Sequence, residues 1–125
     1  MSVLFWIVNM LKKQYRLKKY SAVIATYKNN HSVSDKNVCL YFGRKKKDKD
    51  TTTKFAFIVS KKVHKRAVVR NRIKRLMRET VRNIIKNNQF PCINEYMSVI
   101  VAGKPSAVEA SYSDINSSIL SLFKL

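Results

Sequence analysis

Lys61-Lys62-Val63-His64-Lys65-Arg66-Ala67-Val68-Val69-Arg70-Asn71-Arg72-Ile73-Lys74-Arg75-Leu76-Met77-Arg78-Glu79-Thr80-Val81-Arg82-Asn83-Ile84-Ile85-Lys86 contains eleven Lys or Arg residues, a single acid, and neither Gly nor Pro. Nothing in it breaks a helix. Val69, Ile73, Leu76, Met77, Thr80, Val81 and Ile84 recur at the spacing of one helical face. Arg70, Lys74, Arg78, Arg82 and Lys86 form an i, i+4 row beside that face, and Arg72 and Arg75 project from the far side. The spacing predicts a long amphipathic helix with Ile73 and Leu76 in a core and a basic coat turned outward.

The charge is badly placed for helix stability. Lys61, Lys62, Lys65 and Arg66 precede or open the helix, at the positive end of its dipole. Each such cation costs roughly 0.3–1 kcal/mol near a helix N-terminus, and like charges at i, i+4 add smaller penalties. Helix propensity does not explain the pattern, whereas a polyanion does: helix N-termini and Arg side chains both bind phosphate. A solvated face would normally mix signs, and this one hardly does.

The rest of the composition agrees. The chain has 125 residues and a net charge of +19, which favours one domain with polyanion partners, nucleic acid before anionic membrane. Cys39 and Cys92 sit among apolar residues and read as buried free thiols, a single disulfide being the alternative. His31 and His64 have no partners at metal-ligand spacing. The seven acids are scattered, and no pair forms an evident acid/base or metal site. Residues 1–10 form an N-terminal apolar extension, too short to span a bilayer and lacking the marks of a signal peptide.

Outward from the basic helix, periodicity predicts a first helix over 17–28, with Leu17, Tyr20, Ile24 and Tyr27 on one side and Asn29-Asn30 as its stop. Residues 31–42 read as two extended pieces around the turn Ser34-Asp35-Lys36-Asn37. The charged loop 43–50 reads as a solubilising hairpin tip or an RNA contact. Strands follow over 51–60 and 95–102, on either side of the long helix, and can pair in parallel across it. Ser111 or Ser113 caps a last helix ending near Phe123. The order is αβββαβα, an α+β domain whose mixed sheet packs on helices. Tyr27 and Tyr41 have two readings, ordinary core residues or the flanks of a groove in which unpaired bases stack.

The run Ser60-Lys61-Lys62 … Arg66-Ala67-Val68-Val69-Arg70-Asn71-Arg72-Ile73-Lys74-Arg75-Leu76-Met77-Arg78-Glu79 resembles the signature of the bacterial ribonuclease P protein subunit. Tyr15-Arg16-Leu17-Lys18-Lys19, Leu40-Tyr41 and Val99-Ile100-Val101-Ala102 extend the likeness, so that 11–125 reads as one domain of that family. The resemblance implies an unusual left-handed βαβ crossover at the long helix. It implies two partners, a catalytic RNA subunit and precursor tRNA, with no membrane and no obligate protein partner, in the cytoplasm. The ribonucleoprotein would remove the 5′ leader endonucleolytically, with the chemistry and Mg²⁺ held mainly by the RNA.

By position, the resemblance assigns Lys61, Lys62, Arg66, Arg70, Asn71, Arg72, Lys74, Arg75 and Arg78 to the RNA subunit, and Val23, Tyr27 and Tyr41 to the leader. It assigns no catalytic residue to the protein. The chain departs from the family's habit in Val23, where a Phe is common, and in His64-Lys65-Arg66, where a Gly often precedes the helix. The competing readings are a ribosomal or other structural RNA-binding protein with no role in cleavage, and a cationic membrane-active protein.

Overall fold

The computed structural model describes residues 15–47, 52–87 and 95–123. The apolar extension, Lys12, Lys13, the acidic end of the 43–50 loop, Pro91 and Cys92 lie outside the described residues. Along the described chain run α1 (Tyr20–Lys28), β1 (His31–Ser34), β2 (Val38–Phe42), β3 (Lys54–Ile58), α2 (Ala67–Lys86), β4 (Ser98–Gly103), a 3-10 turn (Pro105–Val108) and α3 (Tyr112–Phe123). This is the αβββαβα order expected from periodicity. The sheet order is β1-β2-β4-β3. β2 pairs antiparallel with β1 and β4, and β3 pairs parallel with β4 across α2.

Strand alternation gives the sheet two different faces. Val38, Leu40, Phe42, Phe55, Val99 and Val101 point to one face and join Ile73, Met77, Val81, Ile84, Ile115, Ile119 and Leu122 in a single core. That face is covered by α2 and α3. Gly103 lets α2 come close: a Cβ there would stand 3.0 Å from Val59 and 3.1 Å from Ile73. The other face carries Cys39, Tyr41, Ile100 and Ala102, and α1 lies across it.

Three local expectations shift. α1 begins at Tyr20 rather than Leu17, because residues 16–17 run beside β3, with an Arg16–Phe55 bridge and a Leu17 N–H donating to the Phe55 carbonyl at 2.7 Å. The buried residue of α1 is the polar Thr26, and Tyr20 is 78% exposed. Thr26 Oγ1 bonds Ser98 Oγ at 2.6 Å, so burial is compensated. Leu76 is only half-buried, whereas Ile73, Met77, Thr80, Val81 and Ile84 are buried. α3 starts as the sequence suggests: Asp114 N–H donates to Ser111 Oγ and Ser111 N–H to the Asp114 carboxylate, a reciprocal cap.

The β1–β2 turn is held by Asp35, whose carboxylate accepts the N–H groups of Asn37 and Val38 at 2.8 and 2.9 Å. Asn37 Nδ2 donates to Ser118 Oγ of α3 at 3.0 Å. Burial alone would raise the Asp35 pKa; the hydrogen bonds of Ser118, Val38 and Asn37 and the charge of Lys104 outweigh it, and the carboxyl titrates below its ordinary range. A depressed folded-state pKa lends stability that is complete above the unfolded value of about 3.9 and is lost as pH falls through the folded value. Asp35→Asn is therefore expected to lower the urea midpoint at neutral pH. The gap from the parent should close in strong acid. A gap that stays constant with pH would mean that the charge of Asp35 does not hold the turn.

Candidate nucleic-acid interface

α1 sits on the sheet through Thr26, and Asn29 Nδ2 donates to the Phe42 and Gly43 carbonyls at 3.1 Å each. At 100° per residue, Val23 and Tyr27 (i, i+4) fall on one flank of Thr26, and Ala22 and Ala25 on the other. The Val23–Tyr27 flank faces Tyr41 on β2. The two tyrosine rings meet edge to face, with centroids 4.7 Å apart and planes at 65°. Tyr27 remains 38% exposed and Tyr41 and Val23 are half-buried. The structure thus brings the three predicted cleft residues together, on a sheet face that also carries Cys39.

Cys39 is half-buried rather than buried, and it was missed as a cleft residue. The signal was present, since a residue two places before Tyr41 on a strand shares its face. Burial raises the pKa of Tyr27, with Cys39 adding to it. Tyr41 is raised by its hydrogen bond with Cys39, then by burial and by the neighbouring Cys39 and Tyr27. Both phenols stay neutral at physiological pH, so they offer rings and hydroxyls without a repelling charge.

α2 opens without a side-chain cap, and its N-cap is Arg66. The preceding turn is tied by the Val63 N–H to the Ser60 carbonyl and by the Arg66 N–H to His64 Nδ1. Lys61, Lys62, Arg66, Asn71, Arg72 and Arg75 are exposed, and Arg70, Lys74 and Arg78 are half-buried. Glu79 is occupied by Arg82, at 2.7 Å.

Arg70, Arg72 and Arg78 also have partners within the protein. Arg70 Nη1 donates to the carbonyls of His64 and Lys65 at 3.0 and 2.8 Å, bracing the turn before the helix. Arg72 reaches the Val108 and Ala110 carbonyls at 3.5 and 3.3 Å, so it does not simply project into solvent as the helical wheel suggests. Arg78 lies over the Phe57 ring, 5.8 Å from its centroid. Burial, then the charges of Arg16 and Arg75, hold its pKa below the ordinary guanidinium value. Such self-repulsion is relieved by an anion. Among the described residues, no group of three or more His, Cys, Asp or Glu side chains could hold a metal ion, and no helix is long and apolar enough to cross a membrane.

The interface therefore combines a neutral aromatic cleft with the cationic opening of α2. Comparison with known proteins gives it a family. The Ribonuclease P family profile matches residues 11–125. The ribonuclease P protein component of Clostridium kluyveri is 38% identical over 110 residues, 88% of this chain and 92% of that protein. That of Exiguobacterium sp. is 37% identical over 114 residues, 91% of each chain. The 2.0 Å structure of Staphylococcus aureus RNase P protein aligns with a TM-score of 0.70 at 27% identity, over 88% of this chain and 93% of that one. The profile covers every described element, the relatives match nearly from end to end, and the solved structure has the same mixed four-stranded architecture; on these grounds the chain belongs to the ribonuclease P protein family.

Proposed function

We propose that this chain is the RNA-binding protein subunit of a ribonuclease P ribonucleoprotein in the cytoplasm, assisting endonucleolytic removal of the 5′ leader from precursor tRNA. The family match over residues 11–125 carries the reading. In it, the opening of α2 docks on the catalytic RNA subunit, and the cleft of Val23, Tyr27 and Tyr41 takes the leader. Lys61, Lys62, Arg66, Asn71, Lys74 and Arg75 supply phosphate contacts. Arg70 and Arg72 have a second task, bracing the 64–65 turn and the 108–110 segment so that these contacts are presented in one geometry. Arg78 joins them from beside Phe57. The protein positions RNA and contributes no acid, base or nucleophile. Mg²⁺ would be held mainly by the RNA subunit and would supply Lewis-acid chemistry there.

The reading is tested by reconstituting the chain with its RNA subunit and following cleavage of precursor tRNA. Faster cleavage and tighter precursor binding with the protein present are expected. Copurification with ribosomal RNA, together with cleavage indifferent to the protein, would replace this reading with that of a structural RNA-binding protein.

The phosphate contacts have their own readout. Arg66→Ala combined with Arg75→Ala is expected to lower the slope of log K against log salt for RNA-subunit binding by about 0.7–0.9 per lost contact. The melting temperature should hardly move, because both side chains are exposed. Arg72→Ala should differ, costing about 0.5–1.5 kcal/mol or less for its carbonyl bonds as well as lowering the slope. An unchanged slope in the double variant would remove these arginines from the interface.

A further inference from the structure

The Ala22–Ala25 flank of α1, away from the tyrosines, borders an open groove of about 1070 Å³. Five cations line it, Arg16, Lys18, Lys19, Arg44 and Lys54, and among the described residues no acid does. They come from three separate segments: the approach to α1, the end of β2 and the start of β3. Chain proximity therefore does not account for the cluster. Its floor is not charged. Ala22 and Ala25 form one wall, and Met97, 49% exposed, forms the other. At the bottom the hydroxyls of Thr26 and Ser98 are bonded to each other, and Gly43 leaves the space that a Cβ would take against Ser98 Oγ.

A rim of cations suits any anion. A cationic rim over apolar walls that include a polarizable thioether suits a ligand that carries phosphate and an exposed flat ring together, which single-stranded RNA does. The tyrosine cleft lies on the opposite flank of the same helix, so only a helix width of about 10–12 Å separates the two. By the same angular count Tyr20, the first residue of α1, falls on the Val23–Tyr27 flank, where it stands 78% exposed.

We propose that this groove binds nucleotides of a precursor leader upstream of those held in the Val23–Tyr27–Tyr41 cleft, with the strand passing around the start of α1. Arg44, Lys54 and Lys19 grip its phosphates, and Met97 receives a base. The proposal rests on the leader-binding reading above and adds a length-dependent site to it.

The test uses the reconstituted holoenzyme with Arg44→Gln combined with Lys54→Gln, both exposed positions, and precursors whose leaders are cut to a couple of nucleotides, span the tyrosine cleft, or extend well beyond it. The double variant should bind the two shorter precursors as the parent does and bind the long one more weakly. Its salt slope for the long leader should fall by about 0.7 per lost single-strand contact. Lys19→Gln, on the exposed start of α1, should repeat the pattern and serves if the double variant melts early.

Long-leader affinity and slope equal to the parent's overturn the groove. So does a loss of equal size on every precursor and on mature tRNA, which would place the cations against the tRNA body or the RNA subunit. A parent holoenzyme that does not prefer precursor over mature tRNA overturns the leader-binding reading itself, and the groove with it.

Discussion

Ile73→Ala is expected to cost about 2–5 kcal/mol of folding stability, the range for deleting a large aliphatic side chain from a close-packed core. Ile73 is 0% exposed and lies over Gly103, where the helix and sheet backbones approach closely. The space it vacates cannot be refilled by a neighbouring glycine, and Val59 on the far side is itself packed. Leu76→Ala, one turn along but half-buried, should cost clearly less. Urea melts of the two variants measure the difference. At temperatures where both remain folded, affinity for the RNA subunit should match the parent's, since neither side chain belongs to the cationic face. If Ile73→Ala melts like the parent, the register of α2 on the sheet is wrong, and the orientation of its basic face falls with it.

Tyr41→Ala is expected to weaken holoenzyme binding of leader-bearing precursor by about 1–3 kcal/mol, the worth of one base–aromatic stack, or roughly five- to 150-fold. Mature tRNA has no leader, so product affinity should hold. Tyr41 is the ring set on the sheet, fixed by backbone pairing on both sides through Ser32 and Ile100. Tyr27 meets it from the end of α1. Its loss should weaken precursor binding in the same direction and less, because the Tyr41 ring remains. Val23→Phe adds a ring to the same flank and should raise precursor affinity. Equal weakening of precursor and mature tRNA by Tyr41→Ala would make the tyrosine pair part of the packing, with the leader bound elsewhere.

The two variants probe opposite faces of one sheet, and the division of labour between those faces was partly legible in the sequence. On α2, apolar residues at helical spacing met a run of cations, and burial of Ile73, Met77, Val81 and Ile84 follows from that spacing alone. The β1–β2 turn was legible in Ser34-Asp35-Lys36-Asn37, because Asp bonds backbone amides two and three residues on. The cap of α3 was legible in Ser111 and Asp114 for the same local reason.

α1 was legible as a helix but not in its orientation. Leu17, Tyr20, Ile24 and Tyr27 look like its buried stripe, yet the helix turns Thr26 to the sheet and leaves Tyr20 in solvent. A buried threonine is stable there only because Ser98, 72 residues away, supplies its partner, and no local pattern announces such a partner.

By itself, then, the sequence determined the element order, the face of α2 that enters the core, and the excess of positive charge that calls for a polyanion. These follow from periodicity and composition, which act over one or two turns or along one strand. Only the tertiary structure decided that Tyr27 meets Tyr41, that Arg72 is tied to the 108–110 segment, and that five cations from three segments surround one groove on the far flank of α1. Each of these joins residues far apart in the chain. Their meeting depends on how the sheet pairs and how helices lie across it, which is fixed by the packing of the whole core rather than by any stretch read alone.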